Sequence, residues 1–562
     1  MKNCGGQSLL HIETSMTKPI HILLTLSAAT AATIVASHMG AFVDRGVAYD
    51  PAYVEADHYD PGRDTALFAA KRQDISLEFS GHVVGVGGDL TDVDYEVEGG
   101  HATLHLHARG IVVSMRGSSP DGALKVYSDH AFTIRLDGVD LESESSAVIN
   151  NQSHKRMTIV ATAGTENELR DAKTYRSGED ETGAEDQKGC IFSEGQIVIA
   201  GSGRLSVTGR HKHAVCSDDY VVLTDSVRLT IPKAKGDGIH ANDYIVIRGG
   251  ETDIHAGHDC MEVERHGGWL LATSGKARLT SDGKNEFDTI ANDYKTSACL
   301  RVSGDIVLRG ADIRAENLGD GGKGLRASGR IIVSGGRIDV TTKGNHLGEE
   351  PAPPMPMEEM VLMNRDSIEK LMQEFMERER TAPSASAKGM RAKGDINISG
   401  GSIRVRTEGT RAEGIETKSD LTVTGGDVRS YATDDAINAS GEATSVITIS
   451  GGRVTAVSSG NDGIDTNGDL YMLGGELTAS GSDIPETGID VNVGETPGVR
   501  FEVHGGRMFG IGGGADRVSA HTQDVVMTDM REGCRAGDTI RVGTFAYVAD
   551  KTLRRATVVT SE

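Results

Sequence analysis

Six acidic side chains occupy related positions in short segments that recur along the chain. Four of them stand directly before a small residue and an aliphatic residue, and two follow the aliphatic residue. The six are Asp237, Asp259, Glu262, Asp435, Asp462 and Asp465. In strands stacked about 4.8 Å apart, like charges repel unless a cation lies between them. Calcium accepts about six to eight oxygen ligands, so the pattern predicts calcium sites; the alternative is turn-forming acids bonded to backbone amides.

The segments that carry these acids form an internal repeat. One copy runs from Gly460 to Ala479 and contains an acidic turn, two alternating stretches and a Gly-Gly corner. Other copies begin at Gly236, Ala412 and Asp434. Repeats of about 22 to 27 residues with short strands and glycine corners indicate a solenoid of stacked coils. Because the units lack a helical apolar period, the predicted coil is β and the predicted fold class is all-β.

The copies align on a small residue followed by an aliphatic one. This pair recurs as Cys190-Ile191, Ala214-Val215, Gly238-Ile239, Cys260-Met261, Cys299-Leu300, Gly324-Leu325, Gly389-Met390, Gly414-Ile415, Ala436-Ile437, Gly463-Ile464 and Gly488-Ile489. Because strands alternate faces, the aliphatic residue and the residue two positions later are predicted to point into the core. The residue between them points outward. We therefore predict columns of polar side chains, which match the repeat of a polymer better than one reaction centre.

The charge balance limits the class of partner. The chain has 58 Lys and Arg against 82 Asp and Glu, a formal net charge of -24. This excess of acid argues against nucleic acid as a partner and favours cations. Aromatic residues are only 4% of the chain, which argues against the flat aromatic platforms that often bind sugars.

Residues 1–41 are predicted to be an N-terminal extension and a secretory signal peptide. Lys18 supplies a positive charge, and residues 20–36 form an apolar run without charge. Translation from Met1 or from Met16 fits this pattern, with cleavage after Ala36 or Ala41. The alternative is an uncleaved anchor, although the run is shorter than the about 20 residues of a usual span. We expect a secreted or cell-surface protein with no membrane span beyond this segment.

The rest of the chain divides into two caps, two runs of coils and an insertion. The predicted ranges are 42–145 for an N-terminal β cap with the first coils, 146–343 for coils, 344–387 for a proline-rich and helical insertion, 388–510 for coils, and 511–562 for a C-terminal β cap. In the insertion, residues 358–380 carry a capping box and one apolar helical stripe. This helix packs across the outside of the solenoid, covers a binding face, or pairs with another subunit.

Two smaller features also carry predictions. The polar stretch between Thr162 and Gly189 is predicted to be a loop because it has no apolar periodicity. Cys260 and Cys299 fall in successive coils, where a disulfide and a pair of free buried thiols fit equally well.

Several segments resemble those of a known family. They are Leu136-Asp137-Gly138-Val139, Ala147-Val148-Ile149-Asn150, Cys190-Ile191-Phe192-Ser193, Gly201-Ser202-Gly203-Arg204-Leu205-Ser206-Val207-Thr208-Gly209, His213-Ala214-Val215-Cys216-Ser217-Asp218-Asp219 and Gly236-Asp237-Gly238-Ile239. Together they resemble calcium-binding, right-handed parallel β-helix proteins described as carbohydrate-binding, whose fold is similar to that of pectate lyases. The resemblance covers roughly residues 75–510.

The resemblance implies an exported protein that holds calcium and attaches to polysaccharide, with cellulosic or acidic pectic sugars as candidate ligands. The family's acid-turn positions correspond to Asp237, Asp259, Asp435 and Asp462, whereas other coils carry His, Lys or Thr at this position. The outward residues that we assign to polysaccharide binding are His240, Asn242, Glu264, Arg301, Arg326, Arg391 and Lys418.

The combined prediction is a calcium-dependent carbohydrate-binding protein of β-helix type without catalytic residues. The first alternative is a calcium-dependent lyase of acidic, pectin-like glycans. Lys233, Lys235 and Lys284 lie near acidic turns and are its candidate bases, although nothing in the sequence singles one out. The second alternative is a structural surface adhesin.

Overall fold

The computed structural model describes residues 73–176, 185–224, 226–348, 382–441, 445–494 and 496–562, together with residues 367, 368, 370, 371, 373 and 374. In this part of the chain, 47 strands form two large sheets and two hairpins. The predicted all-β class is therefore confirmed. The predicted extension and signal peptide, residues 1–41, lie outside the described residues.

The larger sheet, called the long sheet, has 28 described strands. They are Gln73–Ser80, Val83–Gly88, Ile111–Ser119, Phe132–Glu142, Met157–Ala161, Glu166–Arg170, Ile197–Ala200, Arg204–Gly209, Tyr220–Leu223, Arg228–Ala234, Tyr244–Ile247, Glu251–Ala256, Trp269–Ala272, Lys276–Ser281, Ile306–Leu308, Asp312–Asn317, Ile331–Val333, Arg337–Thr342, Ile396–Ile398, Ser402–Thr407, Leu421–Val423, Asp427–Ala432, Val446–Ser458, Asp469–Ser480, Phe501–Gly512, Ala520–His521, Val525–Met530 and Ala556–Ser561. Most of them belong to two parallel ladders, which merge where one strand such as Val446–Ser458 pairs in both.

The other large sheet, called the second sheet, has 15 described strands. They are Val93–Glu98, His101–Leu106, Ala123–Ser128, Ile149–Asn151, Gly189–Ser193, His213–Ser217, Ile239–Ala241, Met261–Val263, Ala298–Val302, Lys323–Ala327, Lys388–Ala392, Glu413–Thr417, Ile437–Ala439, Ile464–Thr466 and Ile489–Asp490. The first two pair antiparallel, and every later neighbour pairs in parallel.

The register of the second sheet matches the predicted alignment. The aliphatic residue of each predicted pair is the Cα partner of the next one, from Ile191 to Ile489. These aliphatic side chains are buried in one apolar core. The small-residue and aliphatic pairs are therefore confirmed as equivalent positions of successive repeats.

Each repeat contributes one strand to the second sheet and one to each ladder of the long sheet. For example, Ile239–Ala241 is followed by Tyr244–Ile247 and Glu251–Ala256 before Met261–Val263 returns to the second sheet. Ile239, Ile245 and Ile254 from these strands share the core. A buried aliphatic side chain stabilises by roughly 1.5 to 3 kcal/mol, so one repeat buries too little apolar surface to fold without its neighbours.

Glycine forms the corners between the two ladders. Gly452 has a φ of 76°, in the left-handed region that side chains rarely adopt. A Cβ added at Gly452 would lie 2.7 Å from the backbone of both Gly425 and Gly426, in the repeat below. Glycine is therefore needed at this corner both for its conformation and for the close approach of stacked backbones.

Antiparallel pairing distinguishes the two ends of the described chain. Gln73–Ser80 pairs antiparallel with Val83–Gly88, and Ala556–Ser561 pairs antiparallel with Phe501–Gly512. A separate hairpin joins Thr539–Val542 to Phe545–Val548. Strands therefore occupy both end regions, and the caps predicted there stay predictions.

The polar stretch predicted as a loop contains the strand Glu166–Arg170, so that prediction is wrong for these residues. Asn167 is buried, and its Oδ1 accepts the N–H groups of Gly138 at 3.0 Å and Val139 at 3.2 Å. A hydrogen-bonded amide thus occupies a buried strand position, where aliphatic side chains are usual. Residues 177–184 of the same stretch lie outside the described residues.

The insertion does not disturb the register of the repeats. Lys388–Ala392, which follows it, pairs directly with Lys323–Ala327, which precedes it. Most of the predicted helix over residues 358–380 lies outside the described residues, so that helix stays a prediction. Cys260 and Cys299 are free and buried, which favours the thiol pair over the disulfide.

Candidate functional site

The outward residues of the second sheet form a continuous column, called the outer column. Each member is the Cα partner of the next. In order they are Phe192, Cys216, His240, Glu262, Arg301, Arg326, Arg391, Glu416, Asn438, Asp465 and Asp490. Since neighbouring strands lie about 4.8 Å apart, each side chain faces the equivalent one in the repeats above and below.

A second column, called the flanking column, stands two positions before each aliphatic residue. Its members are Gly189, His213, Asp237, Asp259, Ala298, Lys323, Lys388, Glu413, Asp435, Asp462 and Thr487. Oδ1 of Asp237 accepts the N–H of Asp259 at 3.0 Å, and Oδ1 of Asp435 accepts the N–H of Asp462 at 3.2 Å. Each of these acids therefore uses one oxygen to bond the next repeat and keeps Oδ2 for other partners.

Charge is segregated into three blocks along these two columns. The acid–imidazole block comprises His213, Asp237, His240, Asp259 and Glu262, together with the turn residue His258. The basic block comprises Arg301, Lys323, Arg326, Lys388 and Arg391. The acidic block comprises Glu413, Glu416, Asp435, Asp462, Asp465 and Asp490, together with Asn438 and Thr487. Where two blocks meet, ion pairs between their side chains compensate the opposite charges.

Asp237 is the centre of the acid–imidazole block. Its Oδ2 lies 3.0 Å from Nδ1 of His213 and 3.3 Å from Nδ1 of His240, and its Oδ1 lies 3.1 Å from Nδ1 of His258. Nδ1 of His240 also lies 3.2 Å from Oε2 of Glu262. Burial opposes a charged imidazole, but the hydrogen bonds with Asp237 and Glu262 outweigh it and raise the pKa of His240 to about 10. Imidazole therefore already compensates the predicted metal ligand Asp237.

Arg301 joins the acid–imidazole block to the basic block. Its Nη1 lies 3.3 Å from Oδ2 of Asp259, and its Nε lies 3.5 Å from Oε1 of Glu262. Two further predicted metal ligands, Asp259 and Glu262, are thus paired with a guanidinium. Arg301 was predicted to bind carbohydrate, and its side chain is 24% exposed.

Glu416 joins the basic block to the acidic block. Its Oε2 lies 2.9 Å from Nζ of Lys388 and 3.1 Å from Nε of Arg391, and its Oε1 lies 2.7 Å from Nζ of Lys418. Nζ of Lys388 also lies 2.5 Å from Oε1 of Glu413. Burial would raise the pKa of Glu416, but the charges of Lys388, Lys418 and Arg391 dominate and lower it.

Arg326 lies between Arg301 and Arg391 in the middle of the basic block. No carboxylate of the described residues is within ion-pair distance of Arg326. Burial and the like charges of Arg301 and Arg391 lower the pKa of Arg326 to about 10. Beside it, Nζ of buried Lys323 donates to Oγ1 of Thr296 at 2.9 Å, and burial holds the pKa of Lys323 well below its usual range. An anionic group bound here would stabilise this concentrated positive charge.

At its far end, the acidic block has no cation of its own among the described residues. Within the described residues, no Lys, Arg or His lies within ion-pair distance of Asp435, Asp462, Asp465 or Asp490. Burial, followed by the charge of Asp465, raises the pKa of Asp435 to about 9. Burial, reinforced by Asp490, raises the pKa values of Asp462 and Asp465 to about 7. A bound cation would relieve both the burial cost and the repulsion of the ionised carboxylates.

Three buried oxygens in the acidic block have no hydrogen-bond partner among the described residues, and Oε2 of Glu413 is one of them. Nδ2 of Asn438 donates to Oδ2 of Asp435 at 2.9 Å, but Oδ1 of Asn438 is unsatisfied. Oγ1 of Thr487 is also unsatisfied. Asn438 and Thr487 are 7% and 8% exposed, so bulk water does not replace the missing partners. Carboxylate, amide and hydroxyl oxygens together form a donor set that suits calcium.

The structure does not place the predicted carbohydrate-binding residues in one environment. Arg301, Arg326 and Arg391 are neighbours in the outer column. His240 is buried, 7% exposed, and its Nε2 lies 3.3 Å from Oε2 of Glu264, so both belong with the acid–imidazole block. Asn242 donates to the carbonyl of Asp218 at 3.0 Å, and Lys418 is 41% exposed beside Glu416.

Sequence reasoning missed His258, Asn438 and Thr487 as members of the site. His258 directly precedes Asp259, at the position where Asp434 precedes Asp435, so alignment of the residue before each column acid could have found it. Asn438 stands in the predicted outward column but carries no charge. Its unsatisfied oxygen becomes visible only when all neighbouring contacts are known.

None of the three lysines considered for a lyase is a member of either column. Lys233 belongs to the long-sheet strand Arg228–Ala234, and its Nζ lies 2.7 Å from Oδ2 of Asp282. Nζ of Lys284 donates to the carbonyl of Lys235 at 2.8 Å. None of these contacts joins a lysine to the acidic block.

Comparison with known proteins assigns the chain to a family. The family model of the carbohydrate-binding domain-containing protein matches residues 102–436 and 379–545, which together span both columns. The chain therefore belongs to the carbohydrate-binding domain-containing protein family. No curated protein matched the chain in a sequence comparison.

One solved structure is similar to part of the chain. It is the structure of the polysaccharide lyase-like protein from C. thermocellum, in a gadolinium derivative, with 22% identity and a TM-score of 0.38. The match covers 46% of this chain and 97% of that chain. At this TM-score the likeness supports no statement about function.

No helix in the described part of the chain has the length and apolar character needed to cross a bilayer.

Proposed function

We propose that the protein is a secreted or cell-surface, calcium-dependent carbohydrate-binding protein that binds acidic polysaccharide and does not catalyse a reaction. The family assignment supports carbohydrate binding. The observation that carries the choice of an acidic ligand is Arg326, a partly buried guanidinium between two other arginines without a carboxylate partner among the described residues. Carboxylates of a polysaccharide would supply the missing negative charge through paired hydrogen bonds to guanidinium groups.

We propose a right-handed parallel β-helix as the architecture that presents this site. Support comes from the order of strands, because each repeat visits the second sheet and then both ladders of the long sheet before pairing in parallel with its predecessor. Crossover connections between parallel strands are almost always right-handed. This winding keeps equivalent side chains at a constant spacing, which suits an extended polymer.

Calcium is proposed to bind the far end of the acidic block. Asp435, Asp462 and Asp465 would supply carboxylate oxygens, and Asn438 and Thr487 would supply one unsatisfied oxygen each. When bound, calcium supplies a positive charge that keeps the carboxylates ionised. Oxygen atoms of a sugar can serve as further calcium ligands. Asp237, Asp259 and Glu262, which the sequence pattern also assigned to calcium, have imidazole or guanidinium partners instead.

Export is proposed from the apolar segment before residue 41 and from the nature of the ligand, because polysaccharides of the acidic, pectin-like class lie outside cells. The large negative charge of the chain also suits a calcium-rich medium, where cations are available to the acidic block.

Affinity electrophoresis of the full chain tests this function. Native gels contain polygalacturonate, a neutral cellulose derivative or no polymer, and each is run with calcium and with a chelator. The proposal expects retardation by polygalacturonate in calcium and weaker retardation with the chelator. Equal mobility in all gels would contradict it, and ultraviolet-absorbing unsaturated products formed from polygalacturonate would establish a lyase instead.

A further inference from the structure

The acid–imidazole block differs in ligand chemistry from the acidic block. Three imidazoles, those of His213, His240 and His258, surround the carboxylates of Asp237 and Asp259. Calcium prefers oxygen ligands, whereas zinc and related divalent transition metals combine imidazole nitrogen with carboxylate oxygen. A metal at this end of the columns would therefore belong to a different chemical class from the calcium proposed above.

His213, Asp237 and His240 offer a compact set of donor atoms. Nδ1 of His213 and Nδ1 of His240 lie 3.0 Å and 3.3 Å from the same oxygen, Oδ2 of Asp237. The three donor atoms all lie within 4.8 Å of one another. In tetrahedral zinc sites with ligand bonds of about 2.0 to 2.2 Å, donor atoms lie about 3.3 Å apart. The two separations that involve Oδ2 of Asp237, 3.0 Å and 3.3 Å, are close to that value.

The hydrogen bonding of His213 favours a cation beside its ring. Nδ1 of His213 lies 3.0 Å from Oδ2 of Asp237 and 3.2 Å from the backbone nitrogen of Asp237. A proton or a metal ion can bridge Nδ1 and Oδ2 at this separation. A metal ion bound to both atoms would take the place of that proton.

The site is enclosed and its supporting contacts are in place. The side chains of His213, Asp237 and His240 are only 5%, 4% and 9% exposed. The other oxygen of Asp237 accepts the N–H of Asp259 and faces Nδ1 of His258, which orients the carboxylate. Outer contacts of this kind fix ligand orientation in metal sites.

The neighbouring trio of Asp237, His258 and Asp259 is a weaker candidate. Asp259 already has the guanidinium of Arg301 at 3.3 Å from its Oδ2 and the N–H of Ala298 at 2.5 Å from its Oδ1. A second metal would have to displace or repel that guanidinium. The geometry thus selects one position, between His213, Asp237 and His240.

We propose that His213, Asp237 and His240 bind one zinc-class divalent transition metal, independently of calcium. The bound ion would join two consecutive strands of the second sheet, because His213 belongs to one strand and His240 to the next. Its role is then to hold these two strands of the second sheet together, at a site separate from the acidic block.

Isothermal titration of the untagged full chain tests the proposal. Protein treated with a chelator and returned to saturating calcium is titrated with Zn²⁺, so that the oxygen-rich site is already filled. The expected result is one Zn²⁺ bound per chain, with at least tenfold weaker binding in His213→Ala. His107→Ala is the matched control, because His107 also faces two carboxylates, those of Asp94 and Asp129, but at an exposed position.

A second measurement keeps the test decisive where His213→Ala fails to fold. Co²⁺ added in place of Zn²⁺ is expected to give visible absorption bands typical of a tetrahedral nitrogen and oxygen site, which His240→Gln abolishes and His107→Ala preserves. Absence of Zn²⁺ binding to the folded wild-type chain would overturn the proposal. Binding that is unchanged in the folded His213 or His240 variant would overturn it as well, whatever the outcome of the polysaccharide gels.

Discussion

Asp462 lies one repeat above Asp435, and its backbone N–H donates to Oδ1 of Asp435 at 3.2 Å. The same bond joins Asp259 to Asp237 at 3.0 Å. Hydrogen bonds to the backbone therefore hold the stacked acids in place, as expected for acids in turns. The partner of the second carboxylate oxygen differs between the blocks. Imidazole faces Oδ2 of Asp237, whereas Oδ2 of Asp435 faces the amide of Asn438.

Calcium is expected to stabilise the fold through the acidic block. Addition of calcium to chelator-treated protein should raise the melting temperature, since a ligand at about 100 times its Kd adds about 2.7 kcal/mol to the free energy of unfolding. Asp465→Asn should remove most of this shift, as measured by scanning fluorimetry. Asp312→Asn, on an exposed position of the long sheet, is the control and should keep it. An equal shift in Asp465→Asn would refute the site.

Arg326→Met is expected to raise the free energy of unfolding, by about 1 to 2 kcal/mol, because it removes a partly buried charge that faces two like charges. Arg301→Met is the contrasting variant and should lower it, since Asp259 and Glu262 would lose their guanidinium. Chemical denaturation followed by circular dichroism measures both. A less stable Arg326→Met would mean that an unrecognised partner compensates Arg326.

Glu416→Gln is expected to lower the free energy of unfolding by about 3 kcal/mol at pH 7, because it leaves buried Lys388 without its full counter-charge. The folded pKa of Glu416 is lowered, so its contribution is present above the unfolded value of about 4.3. That contribution is lost as the pH falls through the lower, folded pKa, and the difference between variant and wild type should shrink there.

The control for Glu416 is Glu476→Gln. Glu476 pairs with Arg453 at the surface, where both side chains are about half exposed, so the change should be under about 1 kcal/mol. Denaturation curves between pH 3 and pH 8, conditions chosen to bracket the titration of glutamate at about 4.3, measure both variants. Equal effects of the two substitutions at pH 7 would show that the pairs of Glu416 are no stronger than surface pairs.

Comparison of Gly452→Ala with Gly138→Ala separates two costs in stability, that of a left-handed backbone conformation and that of a clash with the neighbouring repeat. The two glycines have nearly equal φ angles, 76° and 78°. A Cβ at Gly452 would lie 2.7 Å from the backbone of the repeat below, whereas a Cβ at Gly138 meets nothing within 4 Å. Both changes should cost about 1 to 2 kcal/mol for the left-handed conformation, and only Gly452→Ala should lose about 1 to 3 kcal/mol more. Equal losses in thermal unfolding would contradict the close stacking at this corner.

The register of the second sheet was predictable because it depends on local pattern. A small residue followed by an aliphatic one marks the same strand position from Ile191 to Ile489, and the period of two then fixes which side chains face outward. The strand Glu166–Arg170 was missed for the same reason, because buried Asn167 breaks the aliphatic pattern while hydrogen bonds satisfy its amide.

The division of the site into blocks could not be predicted from the columns alone. It depends on which side chains reach a partner: His258 reaches Asp237 from a turn, and Arg301 reaches Asp259 in the adjacent repeat. Residues at equivalent register positions also differ in their surroundings. His240 is outward in register but buried, whereas Arg326 lacks an acidic partner in the described chain. Pairing and burial are three-dimensional properties that a residue's column position does not contain.

The claim that the basic block binds acidic polysaccharide is tested most directly by comparing Arg326→Ala with Arg404→Ala. Both substitutions remove one positive charge, but Arg404 is exposed on the long sheet. In native gels containing polygalacturonate and calcium, the account predicts that wild type and Arg404→Ala are retarded equally and that Arg326→Ala binds at least tenfold more weakly. Equal retardation of all three proteins would contradict it.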